Sequence, residues 1–111
     1  MSDLHINIAD EFTPFPGARY VTDGKFSGEE FYETILKPKV QSIWKTQNSF
    51  LTIDFDGALG FASSFISEIS IRLVRDFKDK KKIFEKIKFK SDEDPLLIDS
   101  LKANIQEAEI S

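Results

Sequence analysis

The chain is 111 residues long, 41% hydrophobic and 31% charged, with 15 basic against 19 acidic residues and a formal net charge of −4. That is the size and composition of one globular domain with its own core, and the scattered acidic excess argues against a nucleic-acid surface. The lack of cysteine and the single His5 exclude disulfides, thiolate nucleophiles and multi-histidine zinc sites.

The first residues, MSDLHINIADEF, have neither a basic nor an apolar leader region, and no run approaches the roughly 18 apolar residues of a membrane span. The expectation is a cytoplasmic protein with no membrane and no nucleic-acid partner. Leu4, Ile6 and Ile8 alternate with His5, Asn7 and Ala9, the period of a strand with one buried face at or near a sheet edge. Pro14, Pro16 and Gly17 break regular structure, so Glu11 to Ala18 reads as loop and Arg19 to Thr22 as a short strand ending at the Asp23-Gly24 turn.

Ser27-Gly28-Glu29-Glu30 has the spacing of a capping box at a helix start. Phe31, Ile35, Leu36, Val40, Ile43 and Trp44 then recur at helical steps, interrupted by Pro38, whose missing N–H predicts a kink or two abutting helices around Leu36 to Pro38. Phe50 to Phe55 is the most strand-like run in the chain. From Ser63 or Ser64 a second helix places Phe65 or Ile66, Ile69, Leu73 and Phe77 on one face, opposite Glu68, Arg72, Arg75 and Asp76.

Lys78-Asp79-Lys80-Lys81-Lys82 reads as a solvated turn, and Ile87 and Phe89, alternating with Lys86, Lys88 and Lys90, as a lysine-guarded edge strand. Asp94-Pro95 supplies N-cap and first residue of a last helix that buries Leu97 or Ile98, Leu101, Ile105 and Ala108. The order β-β-α-β-α-β-α predicts an α/β fold, with α+β as the variant. It is a single layer of four strands in a mixed sheet with helices packed on it, one domain over 1–111. Phe12, Phe15, Phe26 and Trp44 read as core, with an exposed contact patch as the alternative.

The chemistry gathers between Ser49 and Phe65. Where a strand runs directly into a helix, the turn lies outside the strand's carboxyl end, where ligand contacts of α/β sheets collect. Gly57, Gly60, Ser63 and Ser64 occupy that turn. Helix-start amides carry partial positive charge and accommodate a phosphate on Ser63 or Ser64, although a serine there is equally an ordinary N-cap. Asp54 and Asp56 fall on one side of an extended chain; they can bind a divalent cation or work as an acid/base pair, and read equally as solvated strand-end acids. No phosphate-cradling loop, zinc motif or serine-hydrolase elbow is present, so no catalytic residue, metal or cofactor is assigned. The lysine cluster could attract nucleic acid or acidic lipid, but, diluted by Asp76, Asp79 and Glu85, it reads as a solvated face.

From Leu51 to Phe65, with a strand ending in acids, a glycine-containing turn and a Ser-Ser pair opening a helix, the sequence resembles the STAS superfamily, the domain of anti-sigma factor antagonists and sulfate-transporter tails. It is similar above all to the prokaryotic STAS-like domain family of unknown function, through Pro16-Gly17-x-Arg19, Ser27-Gly28-Glu29-x-Phe31, Asp54-x-Asp56-Gly57 and Ser63-Ser64-Phe65. In the antagonists the helix-opening motif is Asp-Ser-Ser-Gly, whose first serine is phosphorylated by a partner ATPase-type kinase, switching partner binding off. By position that serine is Ser63; Ala62 stands where the motif has Asp, and Phe65 where it has Gly. The resemblance implies a non-enzymatic regulatory module with a histidine-kinase-like ATPase as partner. On it, Ser63 or Ser64 is the phosphorylation candidate and Asp54, Asp56, Gly57, Gly60, Phe61 and Phe65 form the partner surface. Two other readings stay open: a small nucleotide- or metal-binding protein or enzyme using Asp54 and Asp56, and an assembly or host-interaction protein on the same scaffold.

Overall fold

The computed structural model describes residues 3–13, 22, 27–58 and 60–109. Strand β1 is Asp3–Asn7, and Asn7 then caps a short helix α1, Ile8–Glu11: its side chain accepts the Asp10 N–H at 2.9 Å while Glu11 accepts the Asn7 N–H at 2.8 Å. This reciprocal capping ends the strand before Ile8, which the alternating pattern had assigned to β1, and makes helix where loop is expected at Glu11. Ser27 Oγ accepts the Glu30 N–H at 3.0 Å and opens α2, Gly28–Phe31.

The chain continues through a π-helical turn, Tyr32–Leu36, into α3, Lys37–Trp44. The expected kink takes this form. Pro38 has no N–H to return to the preceding turn, and the Lys37 N–H reaches back five residues to the Tyr32 carbonyl, widening the helix by one residue.

Strand β2 is Phe50–Asp54, followed by α4, Ser63–Phe77, then α5, Lys80–Lys86, β3, Ile87–Lys90, and α6, Pro95–Glu107. The lysine cluster is thus helical from Lys80, not a turn. Asp79 caps it by accepting the Lys82 N–H at 3.0 Å, and the fully buried Ile83 anchors it. Asp94 and Pro95 open α6 as their types predict.

The strands pair in the order β1-β2-β3, all parallel. Among the described residues the sheet therefore has three strands and is not mixed. The strand expected over Arg19 to Thr22 lies, but for Thr22, outside the described residues, as do Pro14, Phe15, Pro16, Gly17, Asp23, Gly24 and Phe26. Register places Leu4, Leu51 and Ile87 in one row and Ile6, Ile53 and Phe89 in the next but one, so these side chains share a face. They join the buried residues of α4, α6 and the α2–α3 arm in a single core. The intervening rows, His5-Thr52-Lys88 and Asn7-Asp54-Lys90, point the other way. No helix among the described residues is long and apolar enough to cross a membrane.

Candidate functional site

Because the strands are parallel, their carboxyl ends lie together, and the last row, Asn7-Asp54-Lys90, borders the turns that follow. Asp54 Oδ1 accepts the Asp56 N–H at 2.9 Å, shaping the turn after β2, and its Oδ2 lies 3.7 Å from Lys90 Nζ and 4.0 Å from His5 Nε2. The Asp56 carboxylate reaches across to the loop after β3. It accepts the backbone N–H groups of Asp92 and Glu93, each at 2.9 Å, the Ser91 hydroxyl at 3.1 Å and Lys90 Nζ at 3.4 Å.

Those two backbone N–H groups, with Ser91 and Lys90, outweigh desolvation and hold the Asp56 carboxyl down at about 2. Lys90 is shifted upward, first by its hydrogen bond to Asp92 and also by Asp54 and Asp56. The loops are latched from both sides, for Glu93 accepts the Gly57 N–H at 3.2 Å and Asn7 Nδ2 donates to the Asp56 carbonyl at 3.1 Å. Asp54 and Asp56 both lie near Lys90 Nζ, at 3.7 and 3.4 Å, but Asp56 stands in the turn after β2 and not in an extended chain, and their oxygens are committed to backbone amides and Lys90. Among the described residues no group of three or more His, Asp or Glu side chains is placed to hold a metal ion.

Gly57 and Gly60 sit at φ +91° and +148°, where a side chain is strained, and they carry the chain from this latch to α4. The N-cap of α4 is Ala62, extended and without a side-chain hydrogen bond; its carbonyl accepts the Phe65 and Ile66 N–H groups at 3.0 and 3.3 Å. Neither serine is the cap. Ser63, the first helical residue, is exposed with no hydroxyl partner among the described residues, and Ser64 beside it is half-buried. The Ser63 side chain borders a groove of about 350 Å³ between α4 and the start of α6, lined also by Phe61, Ile66, Asp94, Leu96 and Leu97.

Leu96 is 74% exposed and was not singled out by sequence reasoning. Its signal was there: Leu96, Leu97 and Ile98 are three consecutive apolar residues, more than one helical stripe can bury. Phe65, by contrast, is fully buried and cannot itself be contact surface. Its ring lies 5.7, 5.8 and 6.3 Å from those of Phe61, Phe31 and Phe12, so it fixes the turn from below.

Gly28 lies against the same turn, since a Cβ there would come within 2.9 Å of the Phe65 carbonyl and 3.1 Å of Glu68 Cβ. Two separate sequence motifs, Ser27-Gly28-Glu29-x-Phe31 and Ser63-Ser64-Phe65, are therefore one contact: glycine admits the helix, and the aromatic rings and a Glu29–Arg72 pair at 3.5 Å close it. A family model described as a STAS-like domain of unknown function matches residues 27–97. The chain belongs to that family. No curated protein and no solved structure matches it. The matched part of this STAS-like domain runs from the Ser27 cap to Leu97, and so contains the Gly28–Phe65 contact, the Asp56 latch, Ser63 and the mouth of its groove.

Proposed function

We propose that this STAS-like domain is a non-enzymatic regulatory module that binds a protein partner over the turn from Gly57 to Ser63 and the adjoining groove, with Ser63 as a phosphorylation switch. The observation that carries the reading is the placement of Ser63: exposed, without a hydroxyl partner among the described residues, first in a helix, and on the rim of a largely apolar groove.

A phosphate there would add nearly two negative charges beside the amides of the first turn of α4, where the fold tolerates them. The same charge would face Asp94 across a groove whose Phe61, Ile66, Leu96 and Leu97 otherwise present apolar surface. A partner that buries those residues is repelled by an ion it must desolvate. The resemblance of the Ser63-Ser64 helix start to that of the anti-sigma factor antagonists is what supports a histidine-kinase-like ATPase as that partner, acting in the cytoplasm. Ser64, half-buried, is the lesser candidate.

The test combines the protein with its cognate ATPase-type kinase and ATP and follows the mass. One phosphate should appear on Ser63 and be absent from Ser63→Ala, and Ser63→Glu should weaken the partner by about tenfold or more, the equivalent of about 1.4 kcal/mol. No phosphate on Ser63, together with full binding by Ser63→Glu, overturns the switch. Loss of binding in Leu96→Asp alone would then retain the binding module without it.

A further inference from the structure

The two walls of the Ser63 groove rise from the ends of neighbouring strands. Phe61 and Ser63 follow β2, and Asp94, Leu96 and Leu97 follow β3. The ladder between those strands ends with the Phe55 N–H on the Lys90 carbonyl at 2.8 Å. Beyond it the walls are anchored differently. Phe61 packs its ring 5.2 Å from that of Phe55 and 5.7 Å from that of Phe65, so burial holds the β2 side. On the β3 side every residue from Asp92 to Leu96 is exposed, Leu97 is half-buried, and the first buried residue of α6 is Ile98. Burial therefore fixes α6 only from Leu97 onward, and the residues before it depend on hydrogen bonds.

Those bonds form one chain that starts at Asp56. Its Oδ1 accepts the Glu93 N–H at 2.9 Å and the Ser91 hydroxyl at 3.1 Å, and its Oδ2 accepts the Asp92 N–H at 2.9 Å. The Ser91 oxygen in turn accepts the Asp94 N–H at 3.0 Å, and Asp94 Oδ1 accepts the Leu97 N–H at 3.3 Å. Glu93 ties the same loop back to the other wall, its carboxylate accepting the Gly57 N–H at 3.2 Å. An ionised carboxylate is acceptor-only, so Asp56 can hold all of its donors at once. Neither Asp56 nor Ser91 lines the groove; Ser91 borders a separate hollow beside β3.

We propose that Asp56 is the positioning residue of the groove: through Ser91 and Asp94 it sets where Leu96 and Leu97 stand against Phe61 and Ser63, and so how tightly a partner is held. Its effect on affinity rests on the partner-binding reading above; its hold on the wall does not. Asp56 serves the partner surface from behind, as an orienting group and not as a contact. A wall already in place spares the partner the cost of ordering it, which is how a residue outside the interface strengthens binding.

Ser91→Ala breaks the chain most selectively, because it removes the hydroxyl that joins Asp56 to Asp94 and leaves the two backbone bonds of Asp56 intact. Amide exchange is followed residue by residue in the full chain at neutral pH. In Ser91→Ala the N–H groups of Asp94 and Leu97 should exchange about tenfold faster or more, with β2 and α4 unchanged, the signature of local opening. Asp56→Asn should extend the effect to Asp92 and Glu93, and Ser91→Thr, which keeps the hydroxyl, should behave as the parent. Titrated with the ATPase-type kinase that tests the switch, Ser91→Ala should bind about tenfold more weakly and Ser91→Thr as well as the parent. The proposal is overturned if exchange in Ser91→Ala rises in equal proportion through β2 and α4, since the hydroxyl then only stabilises the fold, or if Asp94 and Leu97 exchange as in the parent. It is equally overturned if the wall loosens and the kinase binds undiminished. Exchange needs no partner, so a kinase that fails to bind even the parent counts against the switch, while the exchange pattern still decides whether Asp56 holds the wall.

Discussion

The loop after β3 takes its shape from a charge carried by the turn after β2, since the Asp56 carboxylate receives the N–H groups of Asp92 and Glu93. Those hydrogen bonds favour the ionised form and bring its pKa in the folded chain to about 2, below the ordinary 3.8. A carboxyl with a depressed folded pKa adds stability that is complete above its unfolded value and is lost as pH falls through the folded one. The window here is therefore between about pH 4 and pH 2. Asp56→Asn should lower Tm at neutral pH, and its melting curve should converge on that of the parent as pH drops through the window. A gap in Tm that stays constant down to pH 2 would show that Asp56 does not act through its charge.

Helix α4 joins the site to the core, yet its two ends are locally poor. Ala62 caps it with no side-chain acceptor, and Lys78 ends it in the left-handed region at φ 55°. Ala62→Asp supplies the missing acceptor and a negative charge at the positive end of the helix. It should raise stability by about 1 kcal/mol, read by urea denaturation; no gain, or a loss, would mean that the half-buried site cannot seat a carboxylate. The elements legible in the sequence were those whose signals are local: the alternation of β1 and β3, the helical periods of α4 and α6, the Ser27 and Asp94 caps, and the break at Pro38. Helix α5 was missed because seven residues are too few for a period to show and its lysines look like a solvated turn, whereas a buried Ile83 decides it. At the site, Ser63 could be placed as a helix opener. The bond from Asp56 to Glu93 and the approach of Gly28 to Phe65 could not, because their partners lie more than 30 residues apart and only the fold joins them.

On the scale of the molecule, three parallel strands laid down in the order β1-β2-β3 step the same way twice, and right-handed crossovers then bring the covering helices to one face. The helical arm from Ser27 to Trp44 is held over that face by charge as well as by apolar contact. Asp76 accepts the Tyr32 hydroxyl at 2.8 Å and is held well below the usual carboxylate range, first by Arg75; burial and Asp76 push the Tyr32 hydroxyl up. Arg72 bonds Glu68 within α4 and reaches Glu33 of the arm at 2.8 Å. Its side chain is only 12% exposed and that of Glu68 6%, so this pair behaves as a buried one, in which removing a single partner costs more than removing both. Arg72→Met should destabilise the protein by about 3 kcal/mol, and adding Glu68→Leu should return a large part of the loss, giving a favourable coupling in a double-mutant cycle measured by denaturant unfolding. A cost below about 1 kcal/mol, the magnitude of exposed pairs, would instead mean that the Gly28–Phe65 contact and the aromatic cluster hold the arm without help from charge.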